Sequence, residues 1–206
     1  AAALRLAAQG ELWKHLSWTV RETVLGFSVG TVAGIFIAVL LWWSRFISKV
    51  MDPYIVVLNS VPKVALGPIF VVWLGTTITA VVAMAISVSI FVTIMMMHTG
   101  FKEVDPNKIK LVRTFGGTKG QVLRKVIIPA SVPTMIAALK VNVGLSLVGT
   151  IVGEFLASKA GLGYLIVYGG QVFNMSLVMA SVLLLLVGSV FLYYVTFLEE
   201  RFSRGA

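Results

Sequence analysis

Five stretches of this chain, residues 24–43, 54–74, 78–97, 134–157 and 175–198, are each long and apolar enough to cross a bilayer, which takes ~20 residues of helix. Lipid offers no water to backbone N–H and C=O groups, so each stretch must satisfy its own hydrogen bonds as a helix. The expected fold is all-α. It is a polytopic membrane protein whose residues 1–206 form a single transmembrane domain. Only 12% of the residues are charged, against about a quarter in a soluble domain. The formal charge of +9 does not call for nucleic acid, because the lysines and arginines gather between the apolar stretches, as the positive-inside bias requires. Membrane lipid is the expected surroundings. There is no cysteine, hence no disulfide framework, and His15 and His98 are too few and too far apart for a metal site.

The loops set the topology. From Lys102 to Lys125 nine residues are charged, seven of them basic, so the 101–133 loop is expected in the cytoplasm. Counting spans from there places the 44–53 loop, with Arg45 and Lys49, inside as well. The 75–77 turn and the 158–174 stretch, whose one basic residue is Lys159, fall outside, and the C-terminus falls inside. Residues 10–23 then form an extracytoplasmic amphipathic segment, with Leu4, Leu12, Trp13 and Leu16 available as one apolar face. A loosely packed tail is the alternative. The chain opens on Ala-Ala-Ala with no signal-peptide pattern, so an outer N-terminus leads to the expectation of a further span upstream, six in the complete protein.

Several residues break the apolar pattern. Gly26, Gly30 and Gly34 repeat every fourth residue and make a smooth stripe on which another helix can pack closely. Pro62 and Pro68 should break the second span, and Lys63 lies between them. A charge at that depth normally faces a cavity or a partner, so Lys63 is either an anion-attracting or gating residue, or is held by freed carbonyls or an ion pair. Asn59 and Asn142 could make interhelical hydrogen bonds or line a pathway. Glu154, near the outer end of the fourth span, is expected to snorkel outward into a structural hydrogen bond or to act in gating. Lys140 reads as an anchor at the inner interface, and the Met95–Met97 run as adaptable packing. Gly161 and Gly163 suggest a tight outer turn.

The 101–133 loop is more than a linker. Asp105-Pro106 reads as an N-cap followed by proline at the first helical position. Gly116-Gly117 should end that helix, and Thr118 with Gln121 is a capping box for a second one. Two short helices bent at a glycine pair would form a compact cytoplasmic knob. Ile109, Leu111, Val112, Phe115, Val122, Leu123 and Val126 would give it apolar surface for docking. The plainer alternative is a solvated charged face that only enforces topology.

Lys110-Leu111-Val112-Arg113-Thr114-Phe115-Gly116, then nine residues, then Val126-Ile127-Ile128-Pro129, resembles the EAA loop of permeases of binding-protein-dependent ABC importers. Gly116 and Pro129 stand at the family's glycine and proline. Lys110, Leu111 and Val112 depart from its Glu-Ala-Ala. Val61-Pro62-Lys63-Val64-Ala65-Leu66-Gly67-Pro68, Phe70 to Gly75, Gly153-Glu154-Phe155 and Gly161-Leu162-Gly163-Tyr164 are similar to signatures of the nitrate, sulfonate, taurine and bicarbonate subgroup, which includes importers of vitamin precursors.

The resemblance implies two permease subunits, as a homodimer, in a prokaryotic inner membrane. It also implies two cytoplasmic ATPases holding ATP and Mg, and an extracytoplasmic substrate-binding protein. On that reading Ile109, Val112, Arg113, Thr114, Phe115, Gly116, Gly117, Thr118 and Pro129 couple to the ATPase. Asn59, Pro62, Lys63, Asn142 and Glu154 serve the pathway, and Gly161 and Gly163 form the outer turn. The chain itself carries no Gly-Lys-Ser/Thr phosphate loop and no His-Glu-x-x-His, so no cofactor and no catalytic set is expected on it. A secondary transporter or channel subunit working without ATP is the competing function, and a membrane scaffold with no pathway is a third.

Overall fold

The computed structural model describes residues 11–203, all helical where regular; Leu4 of the expected amphipathic face lies outside them. Helix α1 spans Glu11–Trp43 and α2 Arg45–Ser60; a 3-10 turn, Lys63–Leu66, leads to α3, Gly67–Leu74. Helix α4 is Ile78–Lys102. The segment after α4 carries α5, Pro106–Thr114, and α6, Lys119–Val122, which runs through a π turn at Leu123–Ile127 into α7, Ile128–Ala130. Then come α8, Val132–Ala157, α9, Leu162–Gln171, and α10, Met175–Ser203.

Among the described residues three helices, α1, α4 and α8, are long and apolar enough to cross a membrane, and a fourth crossing arises if α2 and the 63–74 segment count as one broken span. The expected fifth span falls in α10.

The core is the α1–α4–α8 trio, held by small residues. The stripe of Gly26, Gly30 and Gly34 on α1 lies against Ala85, Ser89 and Thr93 on α4, two four-residue repeats in register. From the other side Gly149 and Gly153 of α8 sit on the α4 backbone at Ala85 and Val81. With little hydrophobic drive between helices in lipid, such close backbone approach supplies the attraction by dispersion.

Three local expectations are corrected. Residues 11–23 are not a separate segment but the first turns of α1, since nothing between them and the first span breaks the helix. Its inward face is polar: His15, Thr19, Glu22 and Thr23 are buried with Leu12, while Trp13 is exposed. The 44–53 loop is helical; Ser44 breaks the chain direction and caps α2 by accepting from the Ile47 N–H at 3.3 Å. The 158–174 stretch is likewise mostly the helix α9.

The break in the second span falls where the prolines put it. Val61 is extended, as a residue preceding proline should be, and α2 turns through 87° into the 63–74 segment. Pro68 occupies the first turn of α3, where its missing N–H costs nothing.

Candidate functional site

The knob formed by α5, α6 and the π turn is built by local chemistry. The Asp105 carboxylate accepts from the Asn107 N–H at 2.8 Å and Pro106 opens α5. At the other end Gly116 adopts φ +76°, a left-handed conformation that glycine takes without strain. Its N–H donates to the Arg113 carbonyl at 2.9 Å, and the Gly117 N–H donates to that of Val112 at 2.9 Å. This pair is the Schellman closure of a helix C-terminus. A Cβ on Gly117 would lie 2.6 Å from the Val112 carbonyl oxygen, so both glycines are required. Thr118 and Gln121 form the reciprocal capping box at the start of α6.

The knob is seated on the spans rather than hanging from them. Val104, Val122 and Ile127 join Ala38 of α1, Met97 and Phe101 of α4 and Ala138 of α8 in one buried cluster. Ile109, Val112, Leu123 and Val126 pack around it. The apolar surface expected for docking is therefore divided. Five of those seven residues are spent on the protein's own core, and Leu111 and Phe115 remain, 59% and 83% exposed. Lys119 adds a polar tie: its ammonium donates to the Trp43 carbonyl and lies 5.8 and 5.5 Å from the rings of Trp42 and Trp43. Arg113, Thr114 and Thr118 are exposed on the knob, as is Pro129 at its exit.

The other expected site residues do not converge. Lys63 reaches back to the Asn59 carbonyl, which the break has freed, and lies 3.5 Å from the Asn59 Oδ1 and 5.7 Å from the Phe91 ring centre. Pro62 beside it is exposed. Asn142 is fully buried in the trio. Its amide donates to the Thr31 Oγ1 at 3.1 Å and to the Thr93 Oγ1, joining α8 to α1 and α4.

Glu154 does not snorkel. It is 1% exposed and turned inward, where it accepts from the Thr19 hydroxyl at 2.6 Å and from the Gly163 N–H at 2.6 Å. The Gly161 N–H donates to His15 Nδ1 at 2.9 Å and the Leu162 N–H to Thr19 Oγ1 at 2.8 Å. Gly161, at φ +110°, has no side chain to cap α9, so α1 and α8 satisfy its first N–H groups instead. Gly161 and Gly163 also leave the room that the Glu154 carboxyl occupies.

Sequence reasoning missed Glu22, which is fully buried with its carboxyl facing Glu154 and Trp18. The signal was there: polar residues at 15, 19, 22 and 23 recur at the helical period just before an apolar run.

Removing the Glu154 acceptor should cost ~1–3 kcal/mol for the stranded Gly163 N–H. The Thr19 hydroxyl can turn to the His15 carbonyl, 3.3 Å away. Glu154→Ala is therefore expected to lower the melting temperature of the purified permease, and Glu154→Gln, which keeps an acceptor, to lower it less. A Glu154→Ala protein melting with wild type would remove the capping role.

Comparison with known proteins gives this arrangement its context. Residues 30–204 match the model of the family described as binding-protein-dependent transport system inner membrane component. A protein of Haemophilus influenzae named as an ABC transporter permease protein is 31% identical over 93% of this chain and 78% of its own length. A formylaminopyrimidine transport permease protein of Halalkalibacterium halodurans is 31% identical over 73% of this chain and 60% of its own. A protein of Bacillus subtilis named for aliphatic sulfonates transport is 27% identical over 97% and 72%. Among solved structures, the MetNI methionine ABC transporter in an inward-facing conformation shares the fold at a TM-score of 0.78, covering 91% of this chain and 92% of that one at 19% identity. The seated knob, the broken second span and the α1–α4–α8 trio are thus parts of a permease subunit, and the chain belongs to the family of binding-protein-dependent transport system inner membrane components.

Proposed function

We propose that this chain forms the translocation pathway of an ATP-driven importer for a small anionic solute such as a sulfonate, taurine or nitrate. The knob is the observation that carries the reading. Its tip offers Leu111 and Phe115 to a partner, and its base is continuous with the core of three membrane helices. A force applied to that tip would reach α1, α4 and α8 without passing through a flexible link. The partner is a cytoplasmic ATPase, one for each of two permease copies in a homodimer, carrying ATP and Mg. An extracytoplasmic binding protein delivers the solute to the permease, whose C-terminus lies in the cytoplasm of a prokaryotic cell.

The anionic substrate class rests on the relative from Bacillus subtilis and on Lys63, a cation held at a broken span. The formylaminopyrimidine relative is the alternative substrate class to include in any uptake screen. Lys63, Asn59 and Pro62 are the residues of this chain best placed to respond to a passing anion, since they lie at the break in the second span. Asn142 and Glu154 fix the helices around it.

The test is uptake of an alkanesulfonate into proteoliposomes holding the permease, its ATPase and its binding protein. Gly116→Pro should abolish it, because proline fixes φ near −65° and removes the N–H that donates to Arg113. ATP-dependent uptake lost in that variant supports the reading. Uptake that proceeds equally without ATP would make the chain a secondary transporter or channel.

A further inference from the structure

A cavity of about 540 Å³ opens on the cytoplasmic side between α2, the end of α4 and the knob. That volume is in the range of ligand sites, ~300–1,000 Å³. Six basic side chains line it: Arg45 and Lys49 from α2, Lys102 from α4, Lys110 and Arg113 from α5, and Lys119 from α6. Asp52 is its one carboxylate, and both of its oxygens are engaged. Oδ2 accepts from the Lys102 ammonium at 3.0 Å, and Oδ1 lies 3.4 Å from His98 Nδ1. His98 is itself buried and fixed on its other side by Ser48 Oγ, 3.1 Å from Nε2. Among the described residues no other carboxylate lies within ion-pair distance of these cations. Positive charge therefore faces one cavity in excess of what the chain neutralises.

The floor of the cavity has a different character. Leu41, Trp42, Phe101 and Val104 line it, at the level where α1 ends at Trp43 and α4 ends at Lys102. Apolar and aromatic floor, basic rim and position at the inner membrane surface belong together. Basic pockets between membrane helices on the cytoplasmic side suit anionic lipid headgroups, and tryptophan is favoured at that depth.

We infer that this cavity is a binding site for a phosphate-bearing anion, the headgroup of an anionic phospholipid of the inner leaflet. The headgroup phosphate sits between Arg45 and Lys49 on one side and Lys110 and Arg113 on the other, and the glycerol end meets the half-buried Trp42. Seated there, it bridges α2 to α5 and so ties the broken span to the knob. Inorganic phosphate presents the same oxygens without the apolar part, and the experiment separates the two.

The probe is phosphatidylglycerol, followed as adducts on the full-length permease by native mass spectrometry from mixed micelles. Wild type should retain one tightly held lipid. The Arg45→Gln/Lys49→Gln double variant should hold it about thirtyfold more weakly, the factor for removing two basic residues from an anionic-lipid site. Arg45→Lys/Lys49→Arg, which conserves charge, should restore retention and so exclude a folding defect. Lys159→Gln, at the outer turn, should change nothing. Retention that resists millimolar inorganic phosphate supports the lipid source. Phosphate that binds the delipidated permease and is lost in the same double variant, while lipid retention is unaffected, keeps the anion site and overturns the lipid assignment. Equal retention of both probes by wild type and the Arg45→Gln/Lys49→Gln variant overturns the site.

Discussion

Phe115→Ala is expected to strip the ATPase from the purified complex while leaving the permease as stable as wild type. Phe115 is 83% exposed at the tip of the knob, and as C-cap of α5 it contributes to the fold through its backbone N–H, which donates to the Leu111 carbonyl at 3.3 Å. An exposed aromatic ring carried on a rigid turn, with no packing partner in its own cluster, has the character of an interface anchor. Truncating such an anchor typically costs about 2–4 kcal/mol of docking energy. Val112→Ala would be a poor substitute for this test, because Val112 packs on the core and its loss would act through the permease itself. Co-purification of the ATPase, read beside the melting temperature of the permease, checks the prediction. Full retention of the ATPase by Phe115→Ala would move the docking surface elsewhere.

Gly149→Leu should prevent the permease from folding. A Cβ at Gly149 would stand 2.6 Å from the Ala85 Cα and 3.1 Å from the Met84 carbonyl oxygen. These are backbone atoms that cannot swing aside. Nor can α4 retreat, since Ala85 is wedged on its other face by Gly26 of α1. Small-to-large changes in a tight core typically cost about 1–3 kcal/mol, and here the clash is with backbone, so the upper end or more is expected. Size-exclusion profiles of a fluorescent fusion should show aggregate in place of a single peak. Gly144→Leu is the control on the same helix, with nothing within 4 Å of its added Cβ. A normal profile for Gly149→Leu would mean that α1, α4 and α8 are not packed as described.

What could be read from the sequence was whatever depends on neighbours a few residues away. The Asp105-Pro106 start, the Gly116-Gly117 stop, the Thr118–Gln121 capping box and the Pro62 break are local chemistry, and each stands where its residues put it. The stripe at 26, 30 and 34 predicted close packing because a four-residue period defines one face of a helix. Its partner, the matching 85, 89 and 93 series on α4, was invisible because alanine, serine and threonine also occur singly in apolar helices.

Long-range relations were the ones missed. Glu154 was expected in a structural hydrogen bond near a span end, and it makes one, but its position there says nothing of the partner, Thr19, which lies 135 residues earlier and turns it inward. The division of the knob into a buried base and a two-residue tip follows from where the span ends lie, which helical periodicity within the loop does not encode. The basic cavity likewise gathers residues from four segments, each of which reads alone as a positive-inside loop.

The central claim is that the tip of the knob touches the ATPase. This sequence contains no cysteine, so Phe115→Cys places a single thiol in it, and the cysteine-free chain in the same complex gives the background from ATPase thiols. Treating the assembled complex with a short bifunctional thiol-to-amine reagent, with Lys159→Cys at the outer turn as the comparison, tests the claim directly. The account predicts a permease–ATPase adduct from Phe115→Cys and none from Lys159→Cys. No adduct from Phe115→Cys, or equal adducts from both, would contradict it.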